Sequence, residues 1–236
     1  MPDYRAIEHQ LTHFLGLGRR PVAVTYCETA PAGVQPITGT QPSGCSFWRI
    51  AAAGKTFYTE ADDHYNCPIG SYTHNIALPP ERASELEGTL GLMVQIGYIR
   101  MEEIPDVFRL QKEPAAVVYE PLGETASSPS AVLVSGRPKQ LALLAEAAVR
   151  AGVFSNLPML TRPTCMALPA ALQKGVVVSS ACIGNRVYTD LGDDELYAVI
   201  PGRDLERVAE ELGTIAAANE KLAQYHSTRR QTLTTP

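Results

Sequence analysis

The chain has no run of about 18 uncharged apolar residues, so a membrane-spanning helix is not expected. It also lacks the shape of a signal peptide, because Asp3, Arg5, Glu8 and His9 interrupt the segment Met1 to Leu17 before any apolar core forms. No dense cluster of Lys and Arg is present, and the formal net charge is −5, which gives no electrostatic footprint for nucleic acid or an anionic membrane. These absences point to a cytoplasmic protein acting on small molecules. Catalytic signatures are missing too. There is no G-x-S-x-G for a serine hydrolase, and Gly16-Leu17-Gly18 lacks the preceding strand and the Lys-Ser/Thr ending of a phosphate loop.

What the chain does have is enough apolar material for a large core. Hydrophobic residues make up 45% of 236 and charged residues 19%, as in an ordinary globular domain. Residues 1–226 read as a single domain, and the polar, Thr-rich residues 227–236 read as a flexible tail. Ile7, Leu11, Phe14 and Leu15 have helical spacing over Tyr4 to Leu15, followed by a β-branched and aromatic strand from Val22 to Cys27. Further helices are expected over Cys45 to Ala53, Glu81 to Leu92, Lys139 to Ala151 and Asp204 to Gln224. Strands are expected near Lys55 to Thr59, Ala115 to Tyr119, Ala131 to Val134, Val176 to Ser179 and Glu195 to Ile200. This alternation favours an α/β or α+β fold, a mixed sheet with flanking helices. The likeness of Val22-Ala23-Val24-Thr25-Tyr26 to Ala116-Val117-Val118-Tyr119-Glu120 hints at an internal duplication.

Five cysteines are present, an odd number, and in a reducing compartment they read as thiols, ligands or core residues. Cys27 closes an apolar strand, whereas Cys45, Cys67, Cys165 and Cys182 lie in segments of turn residues and polar groups. Glycine beside a thiolate lets backbone N–H groups approach sulfur, and proline fixes the turn that presents it. Soft sulfur donors held this way suit an iron–sulfur cluster, for example of the 4Fe-4S type, or zinc. No C-x2-C occurs, so neither a zinc ribbon nor a bacterial ferredoxin pattern is present. Scattered, half-buried thiols with no metal are the alternative, since free cysteine is commonly buried.

His64 and His74 are candidates for acid–base work because imidazole titrates near neutrality. A capping role for His64 in its acidic turn, and a hydrogen-bonding role for His74, are the competing readings. His9, His13 and His226 fall on helices and are expected at the surface. Arg186, and Arg162 before Cys165, suit a substrate carboxylate or phosphate. An ion pair of Arg186 with Asp190, Asp193, Asp194 or Glu195 accounts for it equally well. Trp48, the only tryptophan, with Phe47, Tyr58 and Tyr65, would either line an organic-ligand pocket or pack in the core.

Two groups of segments resemble the signatures of the DUF169 family. The first runs from Cys45-Ser46-Phe47-Trp48-Arg49-Ile50-Ala51 through Gly54-Lys55 and Tyr58-Thr59 to His64-Tyr65-Asn66-Cys67-Pro68-Ile69-Gly70. The second comprises Arg162-Pro163-Thr164-Cys165, Ser179 to Cys182 with Gly184-Asn185-Arg186, and Glu195. The resemblance covers nearly the whole chain. It implies that Cys45, Cys67, Cys165 and Cys182, with His64, share one site and that Cys27 lies outside it. Tyr72-Thr73-His74-Asn75 departs from the glycine usual after that Cys-Pro-Ile-Gly turn, which implies a different ligand or activity. The expectation is an iron–sulfur or other metal protein, a lyase or oxidoreductase acting on a small anionic organic substrate. In that scheme three ligating cysteines would leave one iron open. A binding protein with structural cysteines is the alternative, and either is compatible with a homo-oligomer.

Overall fold

The computed structural model describes residues 2–234. In chain order the elements are α1 (Tyr4–Leu15), β1 (Val22–Cys27), α2 (Gly44–Ala52), β2 (Phe57–Thr59), α3 (Ala61–His64), α4 (Pro68–Thr73) and α5 (Ala83–Gln95). They continue with β3 (Ala116–Pro121), β4 (Ala131–Gly136), α6 (Pro138–Arg150), α7 (Ala167–Lys174), β5 (Val177–Ser179), α8 (Ile183–Tyr188), β6 (Leu196–Pro201) and α9 (Leu205–Thr234). The six strands form one open sheet in the order β2-β3-β1-β4-β6-β5, and all the named strand pairs are antiparallel. The fold is thus a mixed α/β one, a sheet with flanking helices.

Strand side chains alternate between the two faces, and each face is covered by helices, which is why the central strands are apolar on both sides. Ala23, Val132, Val134, Ala198 and Ile200 pack against Leu11 of α1, Leu144 of α6 and Leu212 of α9. On the other face Val24, Val117, Tyr119, Leu133, Tyr197 and Val199 meet Phe47 and Trp48 of α2 and Leu168 of α7. The periodicity of α1 works as expected: its stripe of Tyr4, Ile7, Leu11 and Leu15 is buried, and the helix stops at Gly16 in a left-handed turn.

The sheet consists of two halves of equal construction. In the first half Val22 faces Pro121 and Phe57 faces Tyr119; in the second Ala131 faces Pro201 and Val177 faces Val199. Between the halves, β1 and β4 pair Val22 with Leu133, Ala23 with Val132 and Val24 with Ala131, a register symmetric about Ala23 and Val132. The symmetry extends to the turns. The Leu122 N–H donates to the Pro21 carbonyl and the Gly202 N–H to the Ser130 carbonyl, each at 2.9 Å. The duplication therefore relates β1 to β4 and β3 to β6. Val22–Tyr26 and Ala116–Glu120, whose likeness suggested a repeat, are neighbouring strands of one half, alike because both are buried β-branched runs.

Four helices differ from the sequence reading. α4 and α8 are too short and too rich in Pro and Gly to show a period, and α7 contains Pro169. At the other extreme, α9 does not end near residue 226 but runs to Thr234, where Thr232 Oγ1 donates back to the Thr228 and Arg229 carbonyls. Among the described residues no helix is long and apolar enough to cross a membrane.

Candidate functional site

Four of the five cysteines stand at the first turns of helices on the α2 and α7 side of the sheet. Cys45 is the second residue of α2, and Cys67 is the N-cap of α4, where Pro68 occupies the first helical position. Cys165 sits in a one-turn 3-10 helix, Thr164–Met166, that leads into α7, and Cys182 is the N-cap of α8. Each half of the duplication supplies two of them. Cys45 lies as far before Phe57 of β2 as Cys165 lies before Val177 of β5, and the other two cap short helices that follow those strands.

Direct contacts tie the four turns together. The Cys182 N–H donates to Thr164 Oγ1 at 2.6 Å, and the Cys165 thiol lies 3.9 Å from the Ile69 carbonyl. Ser46 Oγ reaches the Tyr188 carbonyl at 3.5 Å, joining α2 to α8. The sulfurs influence one another electrostatically in every pairing. Cys45 feels Cys165, Cys67 and Cys182; Cys165 feels Cys67 and Cys182; and Cys67 feels Cys182. Among the described residues, no group of three or more His, Cys, Asp or Glu side chains is placed so as to hold a metal ion. Cys27 stands apart, its sulfur 3.7 Å from the Thr25 carbonyl, as its place at the end of β1 implied.

Burial dominates the chemistry of these thiols. It pushes Cys45 and Cys165 well up, and Cys67 up as well, so all three are protonated at neutral pH without a compensating cation. For Cys67 the Gly44 and Gly70 N–H groups partly offset burial, the close backbone approach that glycine permits. A Cβ on Gly70 would stand 2.9 Å from the Cys67 sulfur. Thr73 and Asn185 play the same offsetting part for Cys165 and Cys45.

The two histidines lie nearby but do not titrate near neutrality. His64 is 2% exposed, with Nε2 2.8 Å from Thr59 Oγ1 and its ring edge-on to Phe47; burial lowers its pKa to about 3. His74 has Nδ1 3.0 Å from the Gly70 carbonyl, so Nδ1 carries the proton and Nε2 accepts from the Tyr26 hydroxyl at 3.3 Å; burial lowers its pKa to about 4. The rings are 5.7 Å apart. Both imidazoles are held neutral, contrary to the expectation of titration near pH 7. His9, His13 and His226 are exposed, as expected.

Arg186 donates to the Gly192, Ser180 and Glu195 carbonyls at 2.6, 2.8 and 3.0 Å, bracing the loop between α8 and β6 rather than pairing with a carboxylate. Arg162 lies 3.5 Å from Glu103 and over the Tyr98 ring. Phe47 and Trp48 are core residues, Trp48 meeting Tyr197 edge-on at 5.3 Å. Sequence reasoning missed Tyr26, Tyr119 and Tyr197, because nothing in a strand pattern tells which tyrosines end beneath a cluster of thiols.

The fold is that of a duplicated α/β protein in which each half places two cysteines at helix first turns. The chain belongs to the DUF169 family, whose model, described as "Uncharacterised ArCR", matches residues 10–211. Neither the curated proteins nor the solved structures yield a match.

Proposed function

We propose that the chain is an iron–sulfur protein whose cluster is held by Cys45, Cys67, Cys165 and Cys182. The observation that carries this reading is that four cysteines remote in sequence stand at helix first turns, two from each half, with the Cys165 sulfur 3.9 Å from the Ile69 carbonyl of α4 and the Cys182 N–H bonded to Thr164 beside Cys165. Three further features support it. Cys45 stands in the first turn of the nine-residue α2, whose N-terminus carries partial positive charge that favours an anionic thiolate. The Gly44 and Gly70 N–H groups face the Cys67 sulfur, the kind of backbone contact that stabilises a ligating thiolate. The four cysteines lie within electrostatic reach of one another.

When bound, such a cluster supplies one-electron chemistry or, with an open iron, a Lewis acid. The chain's own residues exclude water from Cys45 and Cys165, leave Cys67 and Cys182 partly exposed, and place the neutral pair His64 and His74 beside the site. The Tyr26 hydroxyl hydrogen-bonds to His74 close to Cys165, a buried path along which a proton can be passed. Arg186 is a brace in this scheme, and recognition of a small anionic substrate does not depend on it.

Anaerobic purification with iron and sulfide analysis and a visible spectrum tests the reading. Iron and acid-labile sulfide in equal amounts, lost when any of the four cysteines becomes Ser but retained in Cys27→Ser, are expected. Stoichiometric zinc without sulfide would identify a structural zinc site, and a metal-free protein after reconstitution would leave the cysteines as packing residues.

A further inference from the structure

Near Cys45 lie buried polar side chains whose hydrogen-bonding capacity is not met with good geometry. Tyr119 and Tyr197 are 0% exposed and Asn185 is 2% exposed, yet both hydroxyls and both ends of the Asn185 amide make no hydrogen bond of good geometry, their polar neighbours being Thr59 for Tyr119, Asn185 and Arg49 for Tyr197, and Cys45 for Asn185. Leaving a buried polar group unpaired costs roughly 1–3 kcal/mol, so a cluster of such groups in one place calls for a missing partner. All three are neighbours of Cys45. Tyr119 rises from β3 near Cys45, Cys165 and Tyr26. Tyr197 rises from β6, the matching strand of the other half, near Cys45, Arg49 and Asn185. Asn185 lies on α8, three residues after Cys182, and faces Cys45.

We infer that the Tyr119 and Tyr197 hydroxyls and the Asn185 amide N–H donate hydrogen bonds to the sulfur atoms of the group that the four cysteines hold, and thereby set its reduction potential. The inference rests on the iron–sulfur reading. A sulfur-rich anionic centre is the partner that fits, because the hydroxyls and the amide N–H all offer protons and all three have the Cys45 sulfur as a neighbour. Donors aimed at cluster sulfur stabilise the reduced, more negative state and so raise the potential. The event is a single-electron uptake from the titrant, in which no bond forms or breaks.

The test is an equilibrium redox titration of the reconstituted full chain with dithionite, followed by the visible spectrum. The variants are Tyr119→Phe, Tyr197→Phe, Asn185→Leu and the triple combination. Tyr4→Phe serves as the control, because its hydroxyl bonds Ser128 and its ring packs on the opposite face of the sheet. Each single variant should keep its iron and sulfide and shift the reduction equilibrium against reduction by about tenfold, ~59 mV for one electron. The triple variant should shift furthest, and Tyr4→Phe should not move. A triple variant that retains its cluster at the wild-type potential overturns the inference alone. A wild-type chain that takes up no cluster overturns the iron–sulfur reading and the inference with it. Should the triple variant fail to fold, the two Tyr→Phe singles decide. Their metal-free forms should melt no earlier than wild type, and a clear loss of melting temperature would show that the hydroxyls have protein partners and overturn the inference.

Discussion

Gly70 lies against Cys67 so closely that a single added carbon would stand 2.9 Å from the sulfur, tighter than side chains tolerate. The same residue sends its N–H toward that sulfur and its carbonyl to His74, so one backbone unit positions a thiol and fixes an imidazole tautomer. Gly70→Ala must push either the sulfur or the α4 turn away. The expected result is a loss of about 1–3 kcal/mol in denaturant unfolding together with weakened metal retention. An alanine variant with unchanged iron content and stability would show that the approach is not needed.

Arg186 distinguishes a brace from a clamp. Its guanidinium satisfies three carbonyls across the loop from Ser180 to Glu195, and removing it leaves those acceptors without their charged donor. Arg186→Ala should therefore cost about 2–4 kcal/mol of stability, and Arg186→Lys should recover little, because an ammonium cannot span three separated acceptors in a planar fork. A substrate clamp would behave in the opposite way, losing activity or ligand affinity at undiminished melting temperature.

The pattern of what could be read from the chain follows from locality. The bounds of α1 and β1 emerge from apolar periodicity because each buries a stripe against one partner layer. α4, α7 and α8 were not legible, since α4 and α8 are only six residues long and Pro169 and Gly184 argue against helix locally while contacts distant in sequence stabilise the turns. The composition around the four cysteines pointed to turns that present sulfur, and they are such turns. That each half supplies two of them is a property of the duplicated sheet, and its one sequence trace is the equal spacing from Cys45 to Phe57 and from Cys165 to Val177. The neutrality of His64 and His74 was invisible for a related reason, because a sequence shows the imidazole but not the burial that governs it.

That burial has a pH signature. The folded-state pKa values of about 3 for His64 and about 4 for His74 lie below the unfolded value of 6.5, so the unfolded chain binds these protons first. Their contribution to stability is complete above about pH 6.5 and is lost as the pH falls toward 4, each histidine adding up to about 1.4 kcal/mol per pH unit. Urea unfolding of the metal-free protein between pH 7 and 4 should show this slope. His64→Gln and His74→Gln should each flatten it, whatever they do to stability at pH 7. An identical slope in the two variants would assign acid sensitivity to other groups.

The duplication itself can be tested where the halves differ. Leu122 and Gly202 occupy matching places, each donating its N–H to a carbonyl at the start of the neighbouring central strand. Leu122 is fully buried and carries its side chain into the core between α1 and the sheet. At Gly202 the same direction is closed, because an added Cβ would run into the backbone carbonyl of Pro129. Backbone cannot rotate away as a side chain can, so Gly202→Ala should cost about 3 kcal/mol or more. Leu122→Ala should cost about 2–5 kcal/mol for the opposite reason, a cavity where packing was. Thermal unfolding of both variants separates the two causes: a smaller probe at position 122, Leu122→Val, should recover part of the loss, whereas at position 202 only glycine should be tolerated. A Gly202→Ala protein as stable as wild type would mean that the β6 turn is free to shift and that the matched hydrogen bonds do not fix the second half as they fix the first.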